Sequence, residues 1–352
     1  MVQPVEGDAP LELSGTVVEG RFRLTQRLGS GAVGAVYLAE DLSGGEPLAI
    51  KVWSRSVLDP QATGRFQRET KALTTLVHPN IVAIRDYGLV NGSPYLAMEL
   101  LRGETLEHRL HESGAVTPPP LSQALVWFRQ ILAALSYAHS RQVVHRDLKP
   151  ENVFLAATAS GEPQIKLLDY GLAKFLTPND DPARAGLTSQ GTVIGTPLYM
   201  APEQALGGAV DTRADVYAAG CVLFELLTGQ PPFLHDSTPA LLRAHLSEAV
   251  PRLSQLRPDL ERLEDLQQVL DRALAKTSEE RYADAAEMLR ALERATEPRV
   301  SQPPPAAQAA AAAAPLAAPA APAPAAAQQG SGLGKAVAIG LGLLLLLWLL
   351  LR

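Results

Sequence analysis

The sequence has little cysteine and little net charge. It holds one cysteine, Cys221, among 352 residues, so neither an intramolecular disulfide nor a thiolate metal cluster can form. Lysine and arginine number 31 against 37 aspartate and glutamate, a formal net charge of -6. Because nucleic-acid binders concentrate positive charge, we expect no nucleic-acid partner. The scarcity of cysteine fits a folded region kept in a reducing compartment such as the cytosol.

The N-terminus lacks the features of a secretory signal. Its first ten residues, MVQPVEGDAP, are acidic and contain neither a basic start nor an apolar core. We expect residues 1–19 to be flexible and residues 20–295 to be folded. With 47% hydrophobic residues, the chain can bury a large core, and its length is typical of about two lobes.

One long apolar run lies near the C-terminus, from Ala336 to Leu351. As a helix this run would span about 24 Å, and about 29 Å with Leu333 and Gly334, close to a bilayer core. We therefore predict a transmembrane helix over residues 333–351; the alternatives are a buried core helix or a peripheral apolar tail. Residues 296–332 are rich in alanine and proline and predict an extended linker.

Strand signals come first along residues 20–295, and helix signals follow. The predicted strands are Phe22 to Leu28, Gly34 to Glu40 and Pro47 to Trp53, and the clearest helices are Leu121 to Ser140 and Thr212 to Thr228. The second helix is apolar on nearly every face, which indicates the interior of a large lobe. The predicted fold class is α+β: a small β-rich lobe over about 20–98, a helical lobe over about 102–295, and a cleft between them.

A glycine-rich segment follows the first predicted strand, with the pattern G-x-G-x-x-G-x-V from Gly29 to Val36. Glycine has no Cβ, so backbone N–H groups can approach phosphates closely. A plain glycine-rich hairpin remains an equal alternative on this pattern alone. A dinucleotide site is disfavoured, because Ala35 to Glu40 continues as a strand where that site needs a helix.

A lysine and a glutamate follow at the spacing of a phosphate-binding pair. Lys51 ends the apolar strand Leu48 to Ile50, and Glu69 lies on a helix predicted over Pro60 to Val77. A Lys51–Glu69 ion pair would hold the amine ready for phosphate oxygens. The alternative for Lys51 is an ordinary exposed strand lysine.

Three further motifs reveal a family resemblance. Residues 145–152 read HRDLKPEN, residues 169–171 read DYG, and residues 201–203 read APE. In this order, after the glycine-rich segment and Lys51, they match the kinase pattern of catalytic loop, D-F-G and A-P-E. Residues 22–292 therefore resemble the eukaryotic-type (Hanks-type) Ser/Thr protein kinases. The segment from Val193 to Gln204, the linker and the terminal run resemble the bacterial membrane-anchored branch.

The resemblance implies the two-lobed kinase fold, ATP, and Mg²⁺ with Mn²⁺ as an alternative. Asp147 would accept the proton of the substrate hydroxyl, and Asn152 and Asp169 would bind the metal ions. Lys149 would face the γ-phosphate with Thr196 closing against it, which indicates Ser/Thr rather than Tyr as acceptor. Small-molecule phosphotransferases of similar fold lack this lysine and the A-P-E motif.

The resemblance also implies a nucleotide site. Adenine would lie between Leu28, Val36 and Ala49 above and Phe154 below, beside the gatekeeper Met98 and a hinge from Glu99 to Leu101. Phosphates would lie under the glycine-rich segment, which comprises Gly29, Ser30, Gly31, Ala32, Val33, Gly34 and Ala35. For each apolar residue the alternative is ordinary core packing.

Some residues have implied structural roles. Asp215 would anchor the catalytic loop, and Glu203 would pair with Arg281. Tyr170 departs from the family's phenylalanine, and its hydroxyl needs a partner or water. We expect tyrosine at this position to affect the equilibrium between active and inactive states and to leave the chain active.

The sequence also suggests how the chain is regulated. Arg146, directly before Asp147, suggests docking of a phosphate after autophosphorylation in trans at Thr188, with Ser189 and Thr192 as lesser candidates. The alternative is a polar mobile loop.

The predicted partners are ATP, proteins bearing Ser/Thr, a membrane, and a second kinase copy. A single-pass C-terminal anchor would leave the kinase domain in the cytoplasm, where ATP is found. A membrane-tethered nucleotide-binding scaffold is the competing function. The intact Asp147, Asn152 and Asp169 favour the enzyme, since a scaffold would need none of them.

Overall fold

The structure is a computed structural model that describes residues 12–31, 34–54, 62–111, 118–171 and 197–297. The chain divides between residues 298 and 299, and all described residues belong to the first unit. No helix within the described ranges is long and apolar enough to cross a membrane. Several predictions concern residues outside those ranges: Ala32, Val33, Thr188, Ser189, Thr192, Thr196, nearly all of the linker, and the span over 333–351.

The small lobe is built on a six-stranded antiparallel sheet in the order β1-β2-β3-β4-β6-β5. Its strands are β1 (Val17–Val18), β2 (Phe22–Gly31), β3 (Gly34–Asp41), β4 (Leu48–Trp53), β5 (Ile84–Val90) and β6 (Ser93–Glu99). Helix α1 (Ala62–Leu73) lies between β4 and β5 in the chain. The three strands predicted for this lobe are confirmed, with ends that differ by a few residues.

The folded lobe begins before residue 20, so the prediction of a flexible 1–19 segment is wrong for its described part. The N–H of Gly15 donates to the carbonyl of Leu24 at 2.7 Å, and Leu24 donates back to Thr16 at 2.9 Å. Leu13 and Val18 are buried in the core of this lobe. Burial of these apolar side chains and the added backbone bonds hold the segment on the sheet.

The large lobe is mainly helical. Its helices are α2 (Leu106–His111), α3 (Leu121–His139), α4 (Pro202–Leu206), α5 (Thr212–Thr228), α6 (Thr238–Ser247), α7 (Leu253–Leu256), α8 (Leu263–Ala273) and α9 (Ala285–Thr296). A small antiparallel sheet lies beside them, in the order β7 (Gly103–Thr105), β8 (Val153–Ala156) and β9 (Gln164–Leu167). The two predicted lobes of the kinase fold are thus confirmed.

Helix α5 is the central element of the large lobe. Every residue from Ala214 to Leu227 is buried, as expected for a helix that is apolar on nearly all faces. At its start the Asp211 side chain accepts a hydrogen bond from the N–H of Arg213. At its end Gly229 takes a left-handed conformation with φ of 84°, which glycine adopts without strain. Both ends lie where the sequence predicted them.

Backbone bonds join the two lobes next to the predicted metal site. The segment between α1 and β5 pairs with the end of β9: Leu167 donates to the carbonyl of Asn80 at 2.8 Å, and Val82 donates to Leu167 at 3.0 Å. Asp169 follows two residues later. These bonds therefore fix the start of the Asp169 turn against the small lobe.

Candidate active site

The loop between α3 and β8 is anchored from below by α5. Asp215 on α5 accepts hydrogen bonds from the backbone N–H groups of His145 at 2.6 Å and Arg146 at 2.7 Å. Its carboxylate is also 2.9 Å from Nε2 of His139. Arg146 lies in the left-handed region with φ of 65°, a conformation that costs an ordinary residue about 1–3 kcal/mol. The Asp215 bonds hold the loop in this shape, which is the anchoring role expected of Asp215.

The charges of this anchor are set by burial and hydrogen bonding. Burial alone would raise the pKa of Asp215, but the hydrogen bond and charge of His139 and the contacts with His145 lower it overall. Burial lowers the pKa of His145, so its imidazole is neutral at pH 7. Nε2 of His145 then donates to the carbonyl of Leu168 at 2.9 Å. This bond joins the loop to the residue before Asp169.

Asp147 is oriented by Asn152 and lies beside Lys149. The amide Nδ2 of Asn152 donates to the backbone oxygen of Asp147 at 2.7 Å and to its carboxylate at 3.0 Å. Nζ of Lys149 lies 3.6 Å from the same carboxylate. Because its nitrogen is used in this way, the oxygen of the Asn152 amide is the atom left to bind a cation. The structure thus brings three predicted catalytic residues together.

Asp169 lies at the start of a tight turn after β9. Its φ of 48° is left-handed, and the N–H of Gly171 donates to its carbonyl at 2.6 Å. Gly171 also has a positive φ of 52°, and a Cβ there would lie 3.0 Å from the carbonyl of His145. Glycine is therefore required at this position. The turn places the Asp169 carboxylate 2.5 Å from Nζ of Lys51.

The structure does not bring Glu69 to Lys51. Glu69 is exposed on α1, whereas its neighbour Thr70 is fully buried. Among the described residues, Asp169 and not Glu69 forms the ion pair with Lys51. The reason is the rotation of α1, whose buried face follows the i, i+4, i+7 spacing of Phe66, Thr70 and Leu73. The expected Lys51–Glu69 pair is absent from this conformation.

Tyr170 packs where the family has phenylalanine. Its ring lies 4.4 Å from that of His145, and the residue is only 5% exposed. Burial raises its pKa well above the usual value, so the phenol stays neutral. The hydroxyl has no hydrogen-bond partner in the described part of the chain. An unsatisfied buried hydroxyl costs about 1–3 kcal/mol, which weakens this packed position.

A small cluster of apolar side chains joins β3, β4, β6 and the hinge. Ala49, Val82 and Met98 form its buried centre, and the side chains packed against it are Val36, Leu100, Leu101 and Leu168. Val36, Ala49, Met98 and Leu101 were predicted here, whereas Val82, Leu100 and Leu168 were missed. Leu28 is 49% exposed and Phe154 is partly buried on β8, and neither belongs to this cluster.

The Glu99 side chain points away from the hinge backbone. Its carboxylate accepts the N–H of Ala83 at 2.8 Å and pairs with Nζ of Lys166 at 2.6 Å. The side chain therefore ties the hinge to both lobes. Backbone groups of Glu99 to Leu101 remain the groups that could bind a purine edge.

The glycines of the glycine-rich segment have different roles. A Cβ on Gly34 would lie 2.2 Å from the carbonyl of Val52, so close packing of β3 on β4 requires this glycine. A Cβ on Gly29 or Gly31 would have no atom within 4 Å. The first two glycines therefore face open space, where phosphates would lie. The strands continue through the segment, since Ser30 pairs with Ala35.

The A-P-E segment is locked to the large lobe, as predicted. Arg281 donates to both carboxylate oxygens of Glu203 at 2.8 Å and is fully buried. It also donates to the backbone oxygens of Ala275, Arg213 and Lys276. The next residue, Gln204, donates to the carbonyl of Arg146 at 3.0 Å. The A-P-E segment thereby contacts the catalytic loop directly.

A polar cluster that was not predicted from the sequence lies beside the catalytic loop. Glu225 of α5 accepts the hydroxyl of Tyr199 at 2.6 Å and lies 3.3 Å from Nε2 of His111. Ligand atoms of Glu107, His111 and Glu225 all lie within 4.8 Å of one another. Burial raises the pKa of Glu225 to about 7. No local motif marks this cluster, because three separate segments contribute to it.

Known proteins resemble the chain in both sequence and fold. A family model described as a protein kinase domain matches residues 22–292. The serine/threonine-protein kinase Pkn1 of Myxococcus xanthus is 40% identical over 275 residues, which are 78% of this chain and 38% of Pkn1. The serine/threonine-protein kinase PknD of Mycobacterium tuberculosis is 40% identical over 271 residues, which are 76% of this chain and 39% of PknD.

Solved structures of protein kinase domains also resemble the chain in sequence and fold. The crystal structure of the Mycobacterium tuberculosis PknI kinase domain is 30% identical and superposes with a TM-score of 0.63, covering 80% of this chain and 98% of that one. The chain spans less than two fifths of the length of the curated relatives Pkn1 and PknD. The resemblance is therefore to their catalytic domains.

Proposed function

The chain belongs to the protein kinase family, and we propose that it transfers the γ-phosphoryl group of ATP to serine and threonine hydroxyls of proteins. The observation that carries the proposal is the orientation of Asp147. Its carboxylate is held by Asn152 in a loop that is itself anchored to the buried Asp215. Such positioning is the main contribution that a protein makes to phosphoryl transfer.

Asp147 would act as the proton acceptor. As the substrate hydroxyl oxygen forms its bond to the γ-phosphorus, the bond to the β–γ bridging oxygen breaks and ADP leaves with that electron pair. The hydroxyl proton passes to the Asp147 carboxylate. Lys149, whose ammonium lies 3.6 Å from this carboxylate, would offset negative charge on the transferred group.

Asp169 and Asn152 suit a hard divalent cation. A carboxylate and an amide oxygen are the ligands that Mg²⁺ and Mn²⁺ prefer. Mg²⁺ held there would neutralise phosphate charge. Lys51 now bonds one oxygen of the Asp169 carboxylate, and with nucleotide bound the ammonium would turn to phosphate oxygens. A rotation of α1 would then bring Glu69 to Lys51, the pair implied by the family.

The test is labelled phosphate transfer by the full chain in detergent. Wild type is compared with Asp147→Asn and with a matched control, Asp271→Asn, which removes an exposed carboxylate on α8. We expect phosphoserine and phosphothreonine by mass spectrometry from wild type and control, and a loss of about 10³-fold in Asp147→Asn. Equal transfer by Asp147→Asn would contradict the assignment. No transfer by a folded, ATP-binding wild type would favour the scaffold.

We also propose that the apolar run from Ala336 to Leu351 tethers the kinase to a membrane, with the catalytic domain in the cytoplasm. The support is the length and apolar character of the run and the cytoplasmic location of ATP. Deleting residues 332–352 should move the protein from the membrane fraction to the soluble fraction with catalysis intact. Continued membrane association of the active truncated protein would contradict the proposal.

Autophosphorylation in trans between two copies is the proposed regulation. A phosphate on Thr188, or on Ser189 or Thr192, would dock against Arg146 beside the catalytic base. Phosphopeptide mapping of the active protein should find label in this stretch. Labelling elsewhere with this stretch unmodified would contradict the proposal.

A further inference from the structure

Trp53 is a buried tryptophan that no kinase motif explains. It lies two residues after Lys51 on β4, so the two side chains project from the same face of the strand. Only 1% of its surface is exposed. Among the described residues, Trp53 is the one whose aromatic ring contacts the Lys51 ammonium.

The indole is held from two sides. The ring of Phe66 on α1 packs against it in an edge-to-face arrangement, with centroids 5.4 Å apart and an interplanar angle of 66°. On β3, Gly34 pairs directly with Trp53, and a Cβ on Gly34 would lie 3.0 Å from Trp53 Cα. Trp53 therefore packs between α1 and β3, the strand that follows the glycine-rich turn. This packing sets the position of the indole in this conformation.

The ammonium of Lys51 lies over this fixed ring. Its Nζ is 5.3 Å from the ring centroid of Trp53, within the range of a cation–π contact. The Lys51 side chain is only 16% exposed, so solvent screens the contact weakly. Among the described residues, the other contact of this ammonium is the Asp169 carboxylate. One of these two partners is an anion that can be exchanged, and the other is a neutral ring on the same strand as Lys51.

The indole N–H is a further feature of Trp53. Its Nε1 is buried with no hydrogen-bond partner within the described ranges. Leaving a buried N–H unsatisfied costs about 1–3 kcal/mol, and an aliphatic side chain at this position would not carry that free-energy cost. An aliphatic side chain could supply neither the aromatic face toward Lys51 nor the edge-to-face contact with Phe66.

We propose that Trp53 is a positioning residue for Lys51, keeping the ammonium inside the cleft while its anionic partner changes from Asp169 to nucleotide phosphate. The inference rests on the proposed function, because it assumes that Lys51 meets ATP. Holding a long, flexible side chain in place before binding reduces the entropy lost on binding. Trp53 should therefore raise the affinity for ligands that carry phosphates and leave the affinity for adenosine unchanged.

The test compares two ligands on the full chain in detergent. Dissociation constants for ATP with Mg²⁺ and for adenosine are measured by calorimetry for wild type, Trp53→Leu and Trp53→Phe. We expect Trp53→Leu to weaken ATP binding about three- to tenfold, with adenosine within about twofold of wild type. Trp53→Phe, which keeps an aromatic face, should stay within about twofold for both ligands.

Phe233→Leu is the matched control. Lys276 lies 4.2 Å over the ring of Phe233 in the large lobe, so this variant removes a similar contact elsewhere. It should leave the ratio of the two dissociation constants unchanged. An unchanged ratio in Trp53→Leu would overturn the proposal. Equal weakening of both ligands would also overturn it, since that is the result of a purely structural role.

A second measurement keeps the shape of the ring. The three tryptophans of the chain are replaced biosynthetically by fluorinated tryptophan, which weakens the negative face of the ring. ATP affinity should fall as fluorines are added, and this trend should vanish in Trp53→Phe. No trend would overturn the proposal even if Trp53→Leu failed to fold. ATP binding without transfer by wild type would contradict only the proposed function, because the two-ligand comparison needs no turnover.

Discussion

The catalytic loop and the surroundings of Lys51 are held by different kinds of contact. The loop is fixed by Asp215, a buried carboxylate that bonds two backbone N–H groups and His139. Lys51 is held by one partly exposed carboxylate, Asp169, and one aromatic ring. A buried network with every bond made is costly to break, whereas a single ion pair can exchange its partner.

This difference separates preformed parts of the site from adjustable ones. Asp147 and Asn152 are already hydrogen-bonded to each other. Lys51 and Glu69 are not, because α1 presents Glu69 to solvent. In this conformation the catalytic loop of the large lobe is formed, whereas the Lys51–Glu69 pair of the small lobe is not.

The largest effect should come from breaking the Glu203–Arg281 pair. Arg281→Met leaves the Glu203 carboxylate without its bidentate partner and should lower the free energy of unfolding by about 3–5 kcal/mol. The exposed pair Arg252–Asp271 is the control, and Arg252→Met should cost less than about 1 kcal/mol. Urea denaturation measures both. Equal costs would refute the distinction between the buried anchors and surface pairs.

The next largest effect should come from Asp215→Asn. This change loosens the catalytic loop without altering a residue of the nucleotide site. Two backbone N–H groups now donate to the Asp215 carboxylate. In the variant, the amide nitrogen would face one of them, and that hydrogen bond would be lost because both groups are donors. We expect kcat to fall about 10²-fold, with the dissociation constant for ATP within about twofold of wild type. Steady-state kinetics and calorimetry measure the two quantities. A normal kcat would show that the loop keeps its shape without this anchor.

Two glycine substitutions should separate packing from phosphate binding. Gly34→Ala places a Cβ against the Val52 carbonyl and should destabilise the chain by about 2 kcal/mol. Gly29→Ala, where the Cβ has open space, should change stability by less than about 0.5 kcal/mol. Thermal unfolding tests both variants. A larger cost for Gly29→Ala would mean that the two glycines have been assigned the wrong roles.

The pH dependence of stability should come partly from Glu225. The pKa of Glu225 is about 7 in the fold, against 4.5 for a free glutamate, so the folded state binds more protons between these values. Its contribution to stability is full below pH 4.5 and is lost as the pH rises to about 7.

Glu225→Gln removes this titration, although Tyr199, His111 and Glu107 still face the site. The free energy of unfolding of wild type relative to the variant should fall by about 2–3 kcal/mol from pH 5 to pH 8. Denaturation curves at several pH values measure it. A constant difference would contradict the raised pKa.

The catalytic loop and α5 could be predicted because their signals are local. Motif spacing predicted a common site for Asp147, Asn152 and Asp169, and the structure brings Asp147 and Asn152 into contact. The ends of α5 follow from the capping side chain of Asp211 and the left-handed Gly229. Each of these features depends on a few neighbouring residues.

The partner of Lys51 could not be predicted in the same way. It depends on the rotation of α1, which is set by packing of Phe66 against Trp53 and not by the sequence around Glu69. The Glu225 cluster has the same origin, since α2, α5 and Tyr199 meet only in the folded chain. Contacts between distant segments leave no periodic pattern in a single sequence.

Amide hydrogen exchange of the full chain, with and without Mg²⁺ and a non-hydrolysable ATP analogue, would separate the preformed loop from the adjustable small lobe. The amides of His145 and Arg146, which donate to Asp215, should be equally protected in both states. Exchange in α1 should slow by about tenfold or more when the analogue binds, because Glu69 would then join Lys51. Loop amides that become protected only with the analogue, or an α1 that does not respond, would contradict this division.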